Sequence, residues 1–214
     1  MSVLLRITVL LCLSTFLCTC GPALENAAEP TVIVGNIRYD ETLGILEATL
    51  TVSPVPPTAP AVLGNILSPI PGMSPGHFRN RMKMEFPSAI DLSVPGHPGQ
   101  VIRLSAPFPD SIPTVLSKSR TAKITAMKTS LSDTESLVFF LEPEDRSTPK
   151  RILLQGPSNT GTLTLPKESI ADVSPGKYQA YFVRQQLQKD SSATLETSLQ
   201  TEYFTRPVPV EVKE

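Results

Sequence analysis

The chain has 214 residues and 40% hydrophobic content, which is enough to bury a core. Its formal net charge of −1 argues against a strongly basic surface of the kind that binds nucleic acids, so no nucleic-acid partner is expected. Its 22 prolines disfavour long helices and fit edge strands, turns and loops, so we expect a β-rich fold.

The first nineteen residues have the layout of a secretion signal. A positive start at Arg6 precedes an apolar run from Ile7 to Leu17, and small residues follow. This run is too short to cross a bilayer, which takes about 20 residues. We therefore expect residues 1–19 to be a signal peptide that is removed.

The segment Leu17-Cys18-Thr19-Cys20 carries a more specific signal. Leu at −3, small residues at −2 and −1, and Cys at +1 resemble the lipobox of bacterial lipoproteins, although Thr19 stands where Gly, Ala or Ser is preferred. The resemblance implies that Cys20 becomes the N-terminus and carries a diacylglyceryl thioether and an N-acyl chain such as palmitate. The alternative is an ordinary signal peptide that happens to contain cysteines.

All three cysteines lie within the first twenty residues, so the mature chain keeps only Cys20 and has no thiol pair for a disulfide. Residues 20–30 are the lipidated cysteine followed by GPALENAAEP, a flexible tether that reaches on the order of 18 Å as a coil. Gly21 rather than Asp after Cys20 matches the enterobacterial sorting pattern for the outer membrane. We therefore expect a lipid-anchored protein of a bacterial cell envelope, in the outer membrane.

Period-two alternation dominates the sequence from Thr31 onward. In LEATLTV the apolar residues Leu46, Ala48, Leu50 and Val52 share one face. Similar runs occur in RMKMEF, in AIDLSV and at five further places: 121–128, 162–165, 177–184, 195–204 and 208–212. The segment ESLVFFLEP is also typical of a strand. Half-buried strands of this kind build antiparallel sandwiches. We predict one all-β, antiparallel, immunoglobulin-like sandwich over residues 31–214, with a proline-rich first half and an irregular excursion near Ser53–Arg79. The alternative is that the two halves are separate domains.

The most specific fold signal lies near the C-terminus, in GTLTLPKESIADVSPGKYQAYFVRQQ. A Pro175-Gly176 turn precedes a strand with Tyr178 on one face and Tyr181 on the other. This resembles the E-to-F corner of immunoglobulin-like domains, which implies that the Tyr178 hydroxyl bonds back to the backbone. The last strands should form a hairpin around Lys189–Ala193, with Pro207 and Pro209 at a sheet edge.

The order of these segments resembles immunoglobulin-like lipoproteins of the Bacteroidota. The shared features are the lipobox, the polar tether, the strand VGNIRYDETLGILEATLTV and the later runs ESLVFFLEPED and PGKYQAYFV. These motifs describe strands and turns, so the resemblance implies no activity and no cofactor.

Candidates for chemistry are few. The two histidines, His77 and His97, each lie beside proline and glycine in predicted turns. Glu142, Glu144 and Asp145 could bind calcium or form a solvated turn, and Asp91, Asp110 or Asp133 could supply paired acids. No metal site or nucleotide-binding motif can be recognised from spacing.

Two functions remain in view. The leading expectation is a noncatalytic, membrane-anchored module that binds or scaffolds an envelope protein or glycan. The alternative is an envelope hydrolase with a dispersed active site that uses His77 or His97. An enzyme should bring a histidine together with a carboxylate or hydroxyl in a pocket, whereas a binding module should present an exposed sheet face or edge.

Overall fold

The computed structural model describes residues 29–105, 112–125, 131–145, 148–155 and 162–214. The predicted signal peptide, Cys20, most of the tether and Asp110 lie outside these residues. The only helix among the described residues is a short 3-10 helix, Lys167–Ile170. No helix there is long and apolar enough to cross a membrane.

The described residues are almost all in β-strands or the turns between them. The strands are β1 (Thr31–Asp40), β2 (Ile45–Ser53), β3 (Ala61–Val62), β4 (Asn65–Ile66), β5 (Ser68–Pro69), β6 (His77–Lys83), β7 (Ala89–Ser93), β8 (Gln100–Arg103), β9 (Val115–Ser117), β10 (Ala122–Thr125), β11 (Glu135–Pro143), β12 (Lys150–Gln155), β13 (Thr162–Leu165), β14 (Gly176–Ser191), β15 (Leu195–Phe204) and β16 (Val208–Lys213).

One large sheet of ten strands forms the first layer of the sandwich. Eight of its strands follow the order β12-β11-β14-β15-β1-β2-β6-β5, while β16 pairs with both β14 and β9. The second layer consists of two smaller sheets. One is β4-β3-β7-β8 and the other is the pair β10-β13. The predicted all-β sandwich is confirmed.

Two hydrophobic cores lie between the layers. The first contains Ile33, Leu50 and Leu199 of the large sheet packed with Ile90 and Leu92 of the four-stranded sheet. The second joins apolar residues of the large sheet to the β10-β13 pair and the 3-10 turn; its members include Phe139, Tyr178, Phe182, Ile124, Leu165 and Ile170. The large sheet therefore runs through both cores.

Strand β14 is long enough to reach both parts, and its inward face changes character halfway. Tyr178, Ala180 and Phe182 are inward and belong to the second core. The next residues on the same face of the strand are polar: Arg184, Gln186 and Gln188. The Gln188 side-chain amide donates to the Arg103 carbonyl at 2.6 Å and its oxygen accepts from the Arg103 N–H at 3.2 Å. The polar half of β14 is thus hydrogen-bonded to the end of β8.

The predicted alternation holds in the strands where it was clearest. Leu46, Leu50 and Val52 are buried in β2, and Ile90 and Leu92 are buried in β7. The predicted hairpin is present, because β14 pairs with β15 across a turn at residues 192–194. The excursion near Ser53–Arg79 is more regular than expected, since it contains the short strands β3, β4 and β5.

Two strand pairings depart from the antiparallel expectation. β1 pairs with β15 in parallel, with Thr31 opposite Leu195, and β16 pairs with β9 in parallel. Both pairs join strands that are far apart in the sequence, so a parallel arrangement needs no tight turn. Pro209 lies opposite Gln179 of β14. On the other side of β16, pairing with β9 begins only at Glu211, so Pro209 is at an edge position, as predicted.

Candidate functional site

The side of the large sheet that faces away from both cores is called the outer face here. Strand register places polar side chains in rows across it. One row consists of Ser136, Gln185, Glu202, Arg38, Glu47 and Arg81, on β11, β14, β15, β1, β2 and β6. The next row, nearer the start of β1, consists of the apolar Leu187 and the polar residues Gln200, Asn36, Thr49 and Arg79. Six neighbouring strands therefore present hydrogen-bonding groups together.

Hydrogen bonds between side chains organise the middle of this face. Glu202 Oε1 accepts from the side-chain amides of Gln185 at 2.8 Å and of Gln200 at 2.7 Å. The Ser136 hydroxyl donates to Gln185 Oε1 at 3.4 Å. Arg79 pairs with Glu47 across β6 and β2 at 2.8 Å. These contacts hold amide and carboxylate groups in fixed positions at the surface, which suits a ligand that is recognised by hydrogen bonds.

An apolar and aromatic strip crosses the outer face next to the polar rows. The rings of Phe140 and Tyr181 are stacked with centroids 5.0 Å apart and an angle of 8° between their planes. Burial raises the pKa of Tyr181, and the nearby Glu142 adds to the effect. The Arg38 guanidinium lies 3.7 Å from the centre of the Phe204 ring. The predicted outward orientation of Tyr181 is confirmed, although its ring is half-buried against Phe140.

Two shallow cavities lie on this side of the molecule. One, of about 380 Å³, is lined by residues at the β14–β15 hairpin and the start of β1: Val32, Lys189, Asp190, Ser191, Glu196, Thr197 and Ser198. The other, of about 150 Å³, is lined by Arg38, Asp40, Leu43, Ile45, Glu47 and Arg81. Both are lined by side chains of the outer face and its margins.

Each of the two candidate histidines is hydrogen-bonded to a threonine. His77 Nδ1 lies 2.9 Å from the Thr51 hydroxyl, and His97 Nε2 lies 3.0 Å from the Thr31 hydroxyl. His97 Nδ1 is buried and makes no hydrogen bond to a described residue. Among the described residues, neither histidine lines either of the two cavities.

The candidate carboxylates are spread over the surface. Asp91 on β7 and Asp133 before β11 are exposed, and so are Glu144 and Asp145 after β11. Among the described residues, no group of three or more His, Cys, Asp or Glu side chains is close enough to hold a metal ion.

A buried ion pair, which the sequence analysis did not single out, lies between the two cores. Arg184 on β14 donates to Glu135 Oε1 from Nε at 3.0 Å and from Nη2 at 2.6 Å, and both side chains are less than a tenth exposed. Glu135 also accepts from the Ser105 hydroxyl at 2.5 Å and, at Oε2, from the Ser132 N–H at 2.9 Å. Burial alone would raise the pKa of Glu135, but these hydrogen bonds and the Arg184 charge together lower it.

The tyrosine corner predicted at Tyr178 is confirmed. Its hydroxyl donates to the Ser174 carbonyl at 2.7 Å, four residues upstream, and its ring is buried in the second core. Burial raises the pKa of this hydroxyl, and the negative charge of the nearby Asp145 raises it further. The corner fixes the start of β14 and hence the register of the outer face.

No protein-family model and no curated protein matches the chain. A search of solved structures finds the chicken CNTN1 FN1-FN3 domains, which align over 87% of this chain and 68% of that chain with 12% sequence identity and a TM-score of 0.29. The chain's own strands and cores define its class: an all-β sandwich built on one ten-stranded sheet.

Proposed function

We propose that this chain is a lipid-anchored protein of a bacterial cell envelope, in the outer membrane, that binds another envelope component without catalysing a reaction. The observation that carries the proposal is the outer face, where two rows of mainly polar side chains lie in register across six and five neighbouring strands. The lipobox at Leu17–Cys20 supports the anchor.

The chemistry of the outer face favours a polar partner, either a glycan or a hydrophilic protein surface. Glu202 is held by two glutamine amides, so its remaining lone pairs are oriented before a ligand arrives. Groups that are already fixed lose less side-chain entropy on binding than free ones do. The aromatic strip with Phe140 and Tyr181 adds apolar contact area beside the polar rows.

The alternative is an envelope hydrolase, and the observation that favours it is the pairing of each histidine with a threonine hydroxyl. A hydroxyl nucleophile also needs its base to be oriented by a third group, and an oxyanion site nearby. In the described part of the chain, the ring hydrogen bond of each histidine goes to a threonine and not to a carboxylate. The binding proposal accounts for more of the molecule.

The lipid anchor gives the first prediction. Intact-mass measurement of the mature protein should find residues 1–19 removed and Cys20 carrying a diacylglyceryl group with an N-acyl chain. Cys20→Ser should release the protein from the membrane fraction or leave it unprocessed. An unmodified Cys20, or cleavage at another position, would overturn the anchor.

The binding face gives the second prediction. A photo-crosslinking amino acid at Val34 or Leu187, both exposed on the outer face, should yield a discrete adduct in intact cells. The matched control is Val101, which is 64% exposed but lies on β8 in the other layer. Adducts of equal yield at Val101, or no adduct at Val34 and Leu187, would contradict binding through this face.

A further inference from the structure

The end of the sandwich where β1 begins carries two loops with unusual composition. Thr31 starts β1 directly after the tether, and register places Val32 beside Ser53 at the end of β2. The first loop, residues 54–59, leaves from there. The second loop, residues 70–76, leads into β6, and its Gly76 carbonyl accepts from the Val52 N–H at 2.9 Å. We call residues 54–59 and 70–76 the entry-end loops.

The entry-end loops carry no charged residue, and most of their residues are exposed. The chain has no Asp, Glu, Lys or Arg from Ala48 to Phe78, although 18% of its residues are charged. Val55 is 53% exposed and Met73 is 52% exposed. The two loops adjoin each other, because a Cβ added at Gly76 would lie 3.5 Å from Val55 Cγ2. The result is an uncharged apolar edge beside the point where the tether joins the domain.

Apart from the exposed Glu29 of the tether, the charged groups at this end lie on the other side of β1. Lys189, Asp190 and Glu196 belong to the β14–β15 hairpin, and β15 pairs with the edge of β1 opposite to β2. The end of the molecule that faces the tether is thus divided into a charged half and an apolar half. An apolar surface of this kind gains free energy by entering the boundary between lipid headgroups and acyl chains.

We propose that the entry-end loops dock on the lipid bilayer, so that the domain rests on the membrane by Val55 and Met73. This inference rests on the proposed lipid anchor. A tether of ten residues that reaches about 18 Å keeps the start of β1 close to the anchored lipid, and the loops adjoin that point.

The test uses the mature full-length lipoprotein in phosphatidylcholine vesicles. Cys12 and Cys18 leave with the signal and Cys20 is lipidated, so Met73→Cys and Val55→Cys each introduce a single reactive thiol for an environment-sensitive fluorophore. The matched control is Ile66→Cys. Ile66 is 72% exposed and lies in the same uncharged stretch. It is further from the entry end, because its carbonyl accepts from the Asn80 side chain, and Asn80 lies about 10 Å beyond His77 along β6.

We expect fluorophores at residues 73 and 55 to shift to the blue and to be quenched by nitroxide-labelled lipid, while the fluorophore at residue 66 keeps its aqueous spectrum. Equal quenching at all three positions, or none in protein that floats with the vesicles, would overturn docking. A blue shift without nitroxide quenching would also overturn it, in favour of contact between protein copies. Labelling of the wild-type protein, which has no introduced thiol, would show an unmodified Cys20 and so overturn the anchor on which the inference rests.

Discussion

Replacing Arg184 with alanine should lower the free energy of unfolding by about 3–5 kcal/mol, because it leaves the buried carboxylate of Glu135 without its counter-charge. Both side chains are less than a tenth exposed, and Arg184 bonds Glu135 Oε1 through two nitrogens. The total free energy of unfolding of a natural protein is roughly 5–15 kcal/mol, so this loss would be a large share of it. Urea unfolding followed by circular dichroism measures the loss.

Two further variants separate the buried charge from lost packing. Arg206→Ala removes an exposed pair with Glu41 at 3.5 Å and should cost no more than about 1 kcal/mol. The double variant Glu135→Gln with Arg184→Met removes both charges but keeps an acceptor for the Ser132 N–H, so it should recover most of the loss. If Arg184→Ala is as stable as Arg206→Ala, the pair is not buried as described.

The ion pair also determines how stability changes in acid. The pKa of Glu135 is lower in the folded protein than the ordinary value of about 4.3. A carboxyl whose pKa is lowered by folding stabilises the folded state above its unfolded pKa, and this contribution is lost as the pH falls through the folded pKa. Stability should therefore decline below about pH 4 in the wild type and decline less steeply in the double variant.

Alternation along each strand could have revealed this pair. In β14 the inward positions run Tyr178, Ala180, Phe182 and then Arg184, and in β11 Glu135 precedes the inward residues Leu137 and Phe139. Two inward-pointing residues of opposite charge, each at the end of an apolar face, indicate a buried pair. The apolar residues alone predict the strands, whereas the charged residues at their ends predict the pair.

The order of the strands could not be derived in the same way. Period-two patterns identify which residues face the core, as they did for Leu46 and Leu50, but they do not say which strands are neighbours. The parallel pairing of β1 with β15 joins residues more than 160 positions apart. It brings Arg38 beside Glu202 and so creates the central row of the outer face. The candidate site therefore depends on long-range pairing that local patterns do not encode.

Truncating Tyr178 to alanine should cost about 3–5 kcal/mol, as large-to-small aromatic changes do in cores. The ring is buried in the second core, and it fixes the corner where β14 begins. Removing only the hydroxyl, with Tyr178→Phe, should cost about 1–3 kcal/mol, because the Ser174 carbonyl then loses its donor at 2.7 Å. Thermal and urea unfolding of the two variants measure the two contributions separately.

Tyr181 is the matched control, because it lies on the same strand but points to the outer face. Its ring stacks on Phe140. Among the described residues, its hydroxyl has no hydrogen bond like the one from Tyr178 to the Ser174 carbonyl. Tyr181→Phe keeps the stacked ring and should change the free energy of unfolding by less than about 0.5 kcal/mol. If Tyr178→Phe proves neutral and Tyr181→Phe is the costly change, the strand faces the opposite way. The rows assigned to the outer face would then point into the sandwich, and binding through that face would fail with the corner.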